Sequence, residues 1–445
     1  MGNGSGLRNS IRREPLAAAL VLAAAFAAMF VAPSGASAYT LKLLHTFCKS
    51  SLCPDGAYPY FPPLQDSGGV VYGTTSAGGR HDGGVVYSLL PGLAFKVLYR
   101  FCVTSSCKDG SQPYAPLILD ANGDLFGTTS AGGAHGSGTV FELVPNADRS
   151  VWTHVTLHNF CAQSGCPDGS APFGPLTYQG AETGALYDGT SPLYGATQHG
   201  GAASDGVAFK LTFVSGQTLR SVKVLHTFCH LAGCADGNDP SGLIIDGSGN
   251  LFGVTRYGGG NNHGVLFELP SGGGETVLYS FCQQSNCSDG QYPIGPPTLD
   301  ASGKLVGTTP SGPGGIVYRI APTGVNSTET VLYNFCSQAS CADGYLPYGG
   351  IAIDANGDLF GSTLWGGAYT GANCDGAGHG CGTVFKLHGG TEHVLHSFCR
   401  LGLPDCADGA QLYYGPLFMD ASGDIFGSAE EGGKYGHGTV FELVP

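Results

Sequence analysis

DANGDLFGTTSAGGAHGSGTVFELV occupies residues 120–144. Two short apolar runs, LFGTT and TVFELV, flank a glycine-rich loop, and a turn of the Asp-x-x-Gly kind precedes them. Short apolar segments bounded by Gly, Asn and Asp read as β-strands joined by tight turns, since Gly supplies the positive φ such turns need. Upstream stand a short apolar segment, APLILD, and a longer one, VLYRF, separated by a loop that opens in Cys102 and closes in Asp109-Gly. Together these are four β-like segments.

The whole unit recurs seven times. Phe-Cys marks each copy, at Phe47, Phe101, Phe160, Phe228, Phe281, Phe335 and Phe398, with 53 to 68 residues between successive cysteines. Each cysteine loop closes in Asp-Gly: Asp55, Asp109, Asp168, Asp236, Asp289, Asp343 and Asp408. A fixed period of this size signals a repeat architecture, and four strands per repeat fit a propeller blade. Residues 40–47 form a strand of the VLHTF type, and HGTVFELVP at 437–445 is the segment that precedes that strand elsewhere. The first strand is therefore expected to complete the last blade. The expectation is an all-β, seven-bladed β-propeller closed by the N-terminal strand, spanning residues 39–445 as one domain. An open β-solenoid is the rival, although its coils rarely carry four strands.

Composition agrees. Glycine supplies 75 of 445 residues, about 17% against an ordinary 7% or so. A 42% hydrophobic fraction argues against disorder, and no Gly-X-Y period marks a collagen. With 19 Lys and Arg against 33 Asp and Glu, nucleic acid is excluded as a partner. Arg8, Arg12 and Arg13, an apolar run from Leu16 to Ala32, and PSGASA at 33–38 form a secretory signal with cleavage expected after Ala38. No further membrane span follows, so the mature chain is expected to be secreted or periplasmic and monomeric.

The sixteen cysteines fit that compartment. Seven loop pairs recur: Cys48 with Cys53, Cys102 with Cys107, Cys161 with Cys166, Cys229 with Cys234, Cys282 with Cys287, Cys336 with Cys341, and Cys399 with Cys406. An eighth pair, Cys374 with Cys381, lies in an insertion. All are expected to be disulfides that stiffen their own loops. Zinc thiolate sites favour two to four intervening residues and a second pair or a His nearby, whereas each loop pair here stands about 50 residues from the next, so neither metal nor cofactor is expected.

The stretches Asp120–Gly133 and Gly138–Val144, with VLYRF and DGSQP before them, resemble the Gloeo/Verruco (GloVer) repeat of bacterial surface and secreted proteins. The likeness extends over residues 40–445. It implies an extracellular setting and a tandem-repeat architecture, and no particular activity. The chain ends at Pro445 without the sorting signal such proteins often carry, which implies release, and its cysteine pairs are a departure from the repeat.

Residues common to all repeats read as structural. His45, His158, His226 and His396 exchange with Tyr99, Tyr279 and Tyr333 at one strand position, which suits packing. Six glycine loops carry a histidine (His81, His135, His199, His263, His379, His437), read as turn residues facing solvent. Departures from the repeat are better site candidates. Just before the Gly-Gly of each unit, Ser-Ala in the first two repeats gives way to Gln198-His199, Arg256-Tyr257, Leu364-Trp365 and Glu430-Glu431. His199, Arg256, Tyr257, Trp365, Glu430 and Glu431 are accordingly expected to share one rim and to bind a ligand through aromatic faces and charged hydrogen bonds. No GxSxG, HExxH or P-loop is present, and no catalytic residue is assigned. The expected function is a binding or interaction module for a polysaccharide or a cell-surface protein. A polysaccharide-degrading hydrolase or lyase, with Glu430 or Glu431 as one carboxylate, and a purely structural surface protein are the alternatives.

Overall fold

The computed structural model describes Met1 and residues 39–92, 94–213, 220–369, 374, 378–401 and 406–445. The expected signal segment, Met1 apart, lies outside the described residues. Tyr39–Pro445 forms one unit, built from seven four-stranded antiparallel sheets. In blade two the strands are Ile118–Leu119, Leu125–Thr129, Thr139–Pro145 and Trp152–Asn159, running in that order from the axis outward. Blade seven takes Phe418–Met419, Ile425–Ala429 and Thr439–Val444 from the end of the chain and its outer strand, Thr40–Thr46, from the beginning. That closing pair runs from Thr40 opposite Val444 to Thr46 opposite Thr439. The ring is thus a closed seven-bladed β-propeller, as the matched ends require.

The core lies between blades. Phe126, Val140 and Phe160 of blade two meet Leu193, Val207 and Phe209 of blade three. Leu44 and Val440 of blade seven meet Val71 and Tyr87 of blade one. The repeat motifs follow from this packing. The Gly of LFGTT makes room for the aromatic ring of the next strand: a Cβ on Gly127 would stand 2.7 Å from Cζ of Phe141. All seven Phe-Cys phenylalanines are buried, at most 2% exposed.

The Asp-Gly loop stitches each blade to the one before it. Two residues past each Gly, a backbone N–H donates to a carbonyl of the preceding blade. Ala171 donates to Ser137 at 2.9 Å and Tyr292 to His263 at 2.8 Å, while Tyr58 donates to His437 at 3.0 Å and so crosses the ring closure. The next residue, usually Pro, seats on the Gly that opens the third strand of the preceding blade, as Pro172 does on Gly138.

The loop Asp has a fixed partner, which explains the His/Tyr exchange. Tyr99 Oη donates to Asp109 at 2.9 Å, Tyr279 to Asp289 at 2.8 Å and Tyr333 to Asp343 at 2.9 Å. His45, His158 and His396 place Nε2 at 3.2, 2.9 and 3.1 Å from Asp55, Asp168 and Asp408. Imidazole N–H and phenol O–H deliver one donor to the same place. Burial works against the Asp55 charge, but hydrogen bonds from His45 and the backbone outweigh it and hold the carboxyl below its usual range.

All eight expected disulfides are present, with paired Cα atoms 3.9 to 4.5 Å apart, and no described cysteine is free. Cys161 is bonded to Cys166 and Cys336 to Cys341, each across five residues. The expectation that each bridge stiffens only its own loop needs correction at the second cysteine, whose carbonyl is shared between two loops. Cys166 accepts N–H bonds from Gly169 of the Asp-Gly turn at 2.9 Å and from Gly201 of the glycine loop at 2.8 Å. Cys341 does the same with Gly344 at 2.9 Å and Gly367 at 3.0 Å. A bridged cysteine thus fixes a backbone acceptor on which the glycine loop, some 26 to 35 residues later, is hung. The hairpin Asp behaves as expected: Asp120 Oδ1 accepts N–H bonds from Asn122 and Asp124, and Gly123 has φ +90°. No helix among the described residues is long and apolar enough to cross a membrane.

The outer strands carry a pH dependence. Glu329 and Glu392 sit largely buried beside Asp289 and Asp343 of the preceding junctions, and burial reinforced by those carboxylates pushes both up to about 8. The folded state therefore holds protons that the unfolded chain has released above its ordinary carboxyl range. Stability falls as pH rises towards 8. The melting temperature is expected to drop by about 3 °C between pH 6.5 and 8.5. The double variant Glu329→Gln/Glu392→Gln should flatten that slope in a calorimetric pH series.

Candidate functional site

The Asp-Gly loops deliver their following residues to one end of the central axis. Four residues past each Gly, the chain is about to enter the inner strand and must point towards the axis, so one aligned position forms a circle: Tyr60, Tyr114, Phe173, Ser241, Ile294, Tyr348 and Tyr413. Five of the seven are aromatic, and Phe61 and Tyr414 follow directly on two of them. The rings touch across blades. Tyr60 lies 4.8 Å from Tyr114, 5.7 Å from Tyr413 and 5.9 Å from Tyr414, centroid to centroid. Phe173 of blade three lies 5.1 Å edge-on to Tyr414 of blade seven and 6.0 Å from Phe61. Tyr348 closes on Tyr413 at 5.8 Å. The tyrosines remain part-exposed, so the cluster is a collar and not a core.

Next to the collar the inner strands surround a cavity of about 280 Å³. Its wall carries Pro62 and Pro63, Pro116, Pro175, Pro296 and Pro297, and Pro416, from the inner edges of five blades. Prolines suit this place, because the innermost strand has no neighbour on its axial side and needs no N–H donor there.

Four of the expected site residues bear on the collar. Glu430 lies beside the Tyr60 hydroxyl. Burial pushes the Glu430 carboxyl up to about 7, against the pull of Tyr60 and with Glu431 adding to the rise. Arg256 faces the same rings from blade four: its charge bears on Tyr348 and on Tyr414, and Glu430 also bears on Tyr414. An acid and a base from blades three apart thus flank one aromatic group. The Arg256 guanidinium stands 5.2 Å from the Tyr257 ring, while its Nε is buried and makes no hydrogen bond. Burial raises every collar tyrosine, and Tyr413 reaches about 12, so all remain neutral donors at physiological pH.

Tyr257 and Glu431, one position further on than Arg256 and Glu430, bear on the same rings, Tyr257 on Tyr348 and Glu431 on Tyr413; His199 and Trp365 have other partners. Glu431 accepts from Gln411 Nε2 at 2.8 Å. Tyr257 meets Tyr292 edge-on at 5.5 Å. His199 is exposed at the end of Leu193–His199 and acts on the largely buried Asp239 together with Arg256. Trp365 bridges to Tyr345 and packs against the buried group that includes Cys374 and Cys381. The collar itself was missed from sequence. Its signal was present as the column Tyr, Tyr, Phe, Ser, Ile, Tyr, Tyr in aligned repeats, hidden inside a loop read as structural.

A family model for the Gloeobacter/Verrucomicrobia repeat matches residues 31–192 and 188–374. No curated protein matches the chain. Among solved structures, TolB from Acinetobacter baumannii is 12% identical with a TM-score of 0.38, over 62% of this chain and 54% of its own. A gluconolactonase from Xanthomonas campestris is 11% identical with a TM-score of 0.40, over 91% and 89%. A luciferin-regenerating enzyme is 10% identical with a TM-score of 0.41, over 92% and 95%. Similarities this distant carry no argument about activity.

Proposed function

This chain belongs to the Gloeobacter/Verrucomicrobia repeat family, and from that premise we propose that it is an exported binding module that holds a polysaccharide at its axial collar. Export rests on the Ala-x-Ala leader of the sequence together with eight disulfides, which persist in oxidising compartments. The ligand class rests on the collar. Flat part-exposed rings offer faces to the C–H surfaces of sugars, and Glu430 and Arg256 offer charge-assisted hydrogen bonds to hydroxyls. The blades share a symmetric motif, while the collar is asymmetric, with Ser241 and Ile294 opening a gap in the aromatic circle.

The test is a glycan array followed by titration. Wild type is expected to bind a bacterial or plant polysaccharide, and Tyr60→Ala/Tyr413→Ala to weaken binding at least about tenfold, some 1.4 kcal/mol. Tyr257→Ala probes the outer part of the same rim. Unchanged binding in the collar variant, or no glycan bound by wild type, removes the proposal. One observation favours a second reading: a carboxyl held near 7, as Glu430 is, has the ionisation a glycosidic general acid needs. Reducing-sugar release that disappears in Glu430→Gln would replace binding by hydrolysis.

A further inference from the structure

At the junction of blades three and four, two histidines and two carboxylates meet away from the axis. His226 stands near the end of the outer strand Ser221–Thr227, His230 and Asp236 lie in the cysteine loop that follows, and Glu275 directly precedes the outer strand Thr276–Ser280 of the next blade. His226 Nε2 lies 3.4 Å from Asp236 Oδ2 and 3.7 Å from Glu275 Oε2, and His230 Nδ1 lies 2.6 Å from Asp236 Oδ2. The donor atoms of His226, His230 and Asp236 all fall within 4.8 Å of one another.

The usual junction is satisfied by one donor on the loop Asp. Here it is not. His230 has taken Asp236 Oδ2, and His226 Nε2, although at ion-pair distance, makes no hydrogen bond. Glu275 Oε1 is also buried without a hydrogen-bond partner. The side chains of His226 and Glu275 are 9% and 7% exposed, so these are orphaned polar atoms in a dry place, which is costly unless something else satisfies them. Glu329 Oε1 and Glu392 Oε1 are orphaned in the same way at the next two junctions, so what sets this one apart is His226. Where Glu329 and Glu392 take the place of Glu275, the strand residue is Tyr279 or Tyr333 and the loop residue Gln283 or Ser337. Both of those tyrosines donate to their Asp at normal distance. Of the seven loops, the blade three loop alone has histidine at both positions.

We propose that His226 Nε2, His230 Nδ1, Asp236 Oδ2 and Glu275 Oε2 bind a divalent transition-metal ion, with zinc as the best fit. Two imidazoles and two carboxylates suit a four-coordinate zinc, and imidazole selects against calcium and magnesium. Ligand atoms around tetrahedral zinc stand roughly 3.3 Å apart, given bonds of about 2.0–2.1 Å. The His226–Asp236, His226–Glu275 and His230–Asp236 separations lie on either side of that value, and Glu275, which touches the three-residue group through His226, swings in to complete the set. Asp236 is pre-oriented by N–H bonds from His230 and Leu231, both at 3.1 Å, the outer support that metal ligands usually have. His230, 51% exposed, provides the way in from solvent. Four protein ligands leave no open position, so the ion's role is structural: it staples the outer strand of blade four to that of blade three.

The purified protein, disulfides intact and stripped with a chelator, is titrated with Zn²⁺ against a chromophoric competitor at about pH 7.5. One equivalent is expected to bind at micromolar concentration or tighter, with a rise in melting temperature. Because its side chain is half exposed, His230→Ala should leave the zinc-free melting temperature within a degree or two. It should weaken zinc binding at least about 100-fold and abolish the rise. Glu275→Gln, which keeps the shape, should weaken binding at least about tenfold, and Gln283→Ala at the next junction should change nothing. Cobalt substitution should give a tetrahedral spectrum without a thiolate band. No stoichiometric binding, equal binding in His230→Ala, or a thiolate band would each overturn the proposal.

Discussion

Reduction of the disulfides under otherwise native conditions is expected to lower the melting temperature by about 10 to 20 °C. A bridge closing so short a loop stabilises by roughly 2 kcal/mol through the entropy of the unfolded chain. Eight such bridges add up to a total of the order of a whole domain's net stability, about 5–15 kcal/mol. The loops have a second reason to depend on them. Both cysteines of each of the seven Phe-Cys loops sit in the left-handed region, for example Cys102 at φ +60° and Cys107 at φ +45°, or Cys161 at φ +64° and Cys166 at φ +47°. A non-glycine residue there costs about 1–2 kcal/mol, and the bridge is what holds it. Calorimetry with and without a reductant reads the effect directly, and a shift below about 3 °C would show that the blades hold their loops unaided.

The substitution Gly138→Ala is expected to cost about 3–5 kcal/mol, at the upper end for a single methyl group. Gly138 has φ +95°, and a Cβ there would press on the Thr129 carbonyl and stand 2.6 Å from Pro172 Cδ of the next blade. Neither neighbour can yield: one is strand backbone, the other the rigid ring that seats one blade on another. Gly136, two residues earlier, is the control. It also has positive φ, +79°, yet a Cβ there would meet nothing within 4 Å. Gly136→Ala should therefore cost about 1 kcal/mol, the conformational part alone. Chemical denaturation of both variants separates the two contributions. Adding Pro172→Ala to Gly138→Ala should recover part of the loss, since it removes one of the two clashing partners.

The fold was legible because its determinants are local and repeated seven times. Phe-Cys, Asp-Gly and the two glycine strands each report a contact that every blade makes, and the ring closure could be read from TLKLLHTF and GTVFELV as the two halves of one interrupted unit. The disulfide pairing was legible from spacing, but the second use of Cys166 and Cys341 was not, because it belongs to their carbonyls and any residue has one. The role of the His/Tyr column was not legible as chemistry. His45 and Tyr99 look interchangeable only as packing until the shared acceptor, Asp55 or Asp109, is seen beside them. The axial collar escaped for a different reason. Tyr60 and Tyr413 are nearly a full chain apart in sequence and 5.7 Å apart in space, a proximity that exists only once seven blades have closed. The variant pairs before each Gly-Gly could be picked out as departures, but the rings they bear on, Tyr348, Tyr413 and Tyr414, come from other loops and could not.

The closing strand has a consequence for how the ring is made. Of the blade strands, Thr40–Thr46 emerges first during synthesis, and its partner, Thr439–Val444, emerges last. Until then its edge N–H and C=O groups have no native partner, and blade seven cannot exist. The contact that seals the molecule is also its longest-range one, and such contacts are the slowest to form. Assembly therefore proceeds blade by blade as an open arc with two sticky ends, and the final pairing gives blade seven its outer strand and closes the ring. For as long as that arc persists, the first strand of one copy can serve as the last strand of another, so the same joint that closes the finished ring makes the unfinished one prone to join its neighbours.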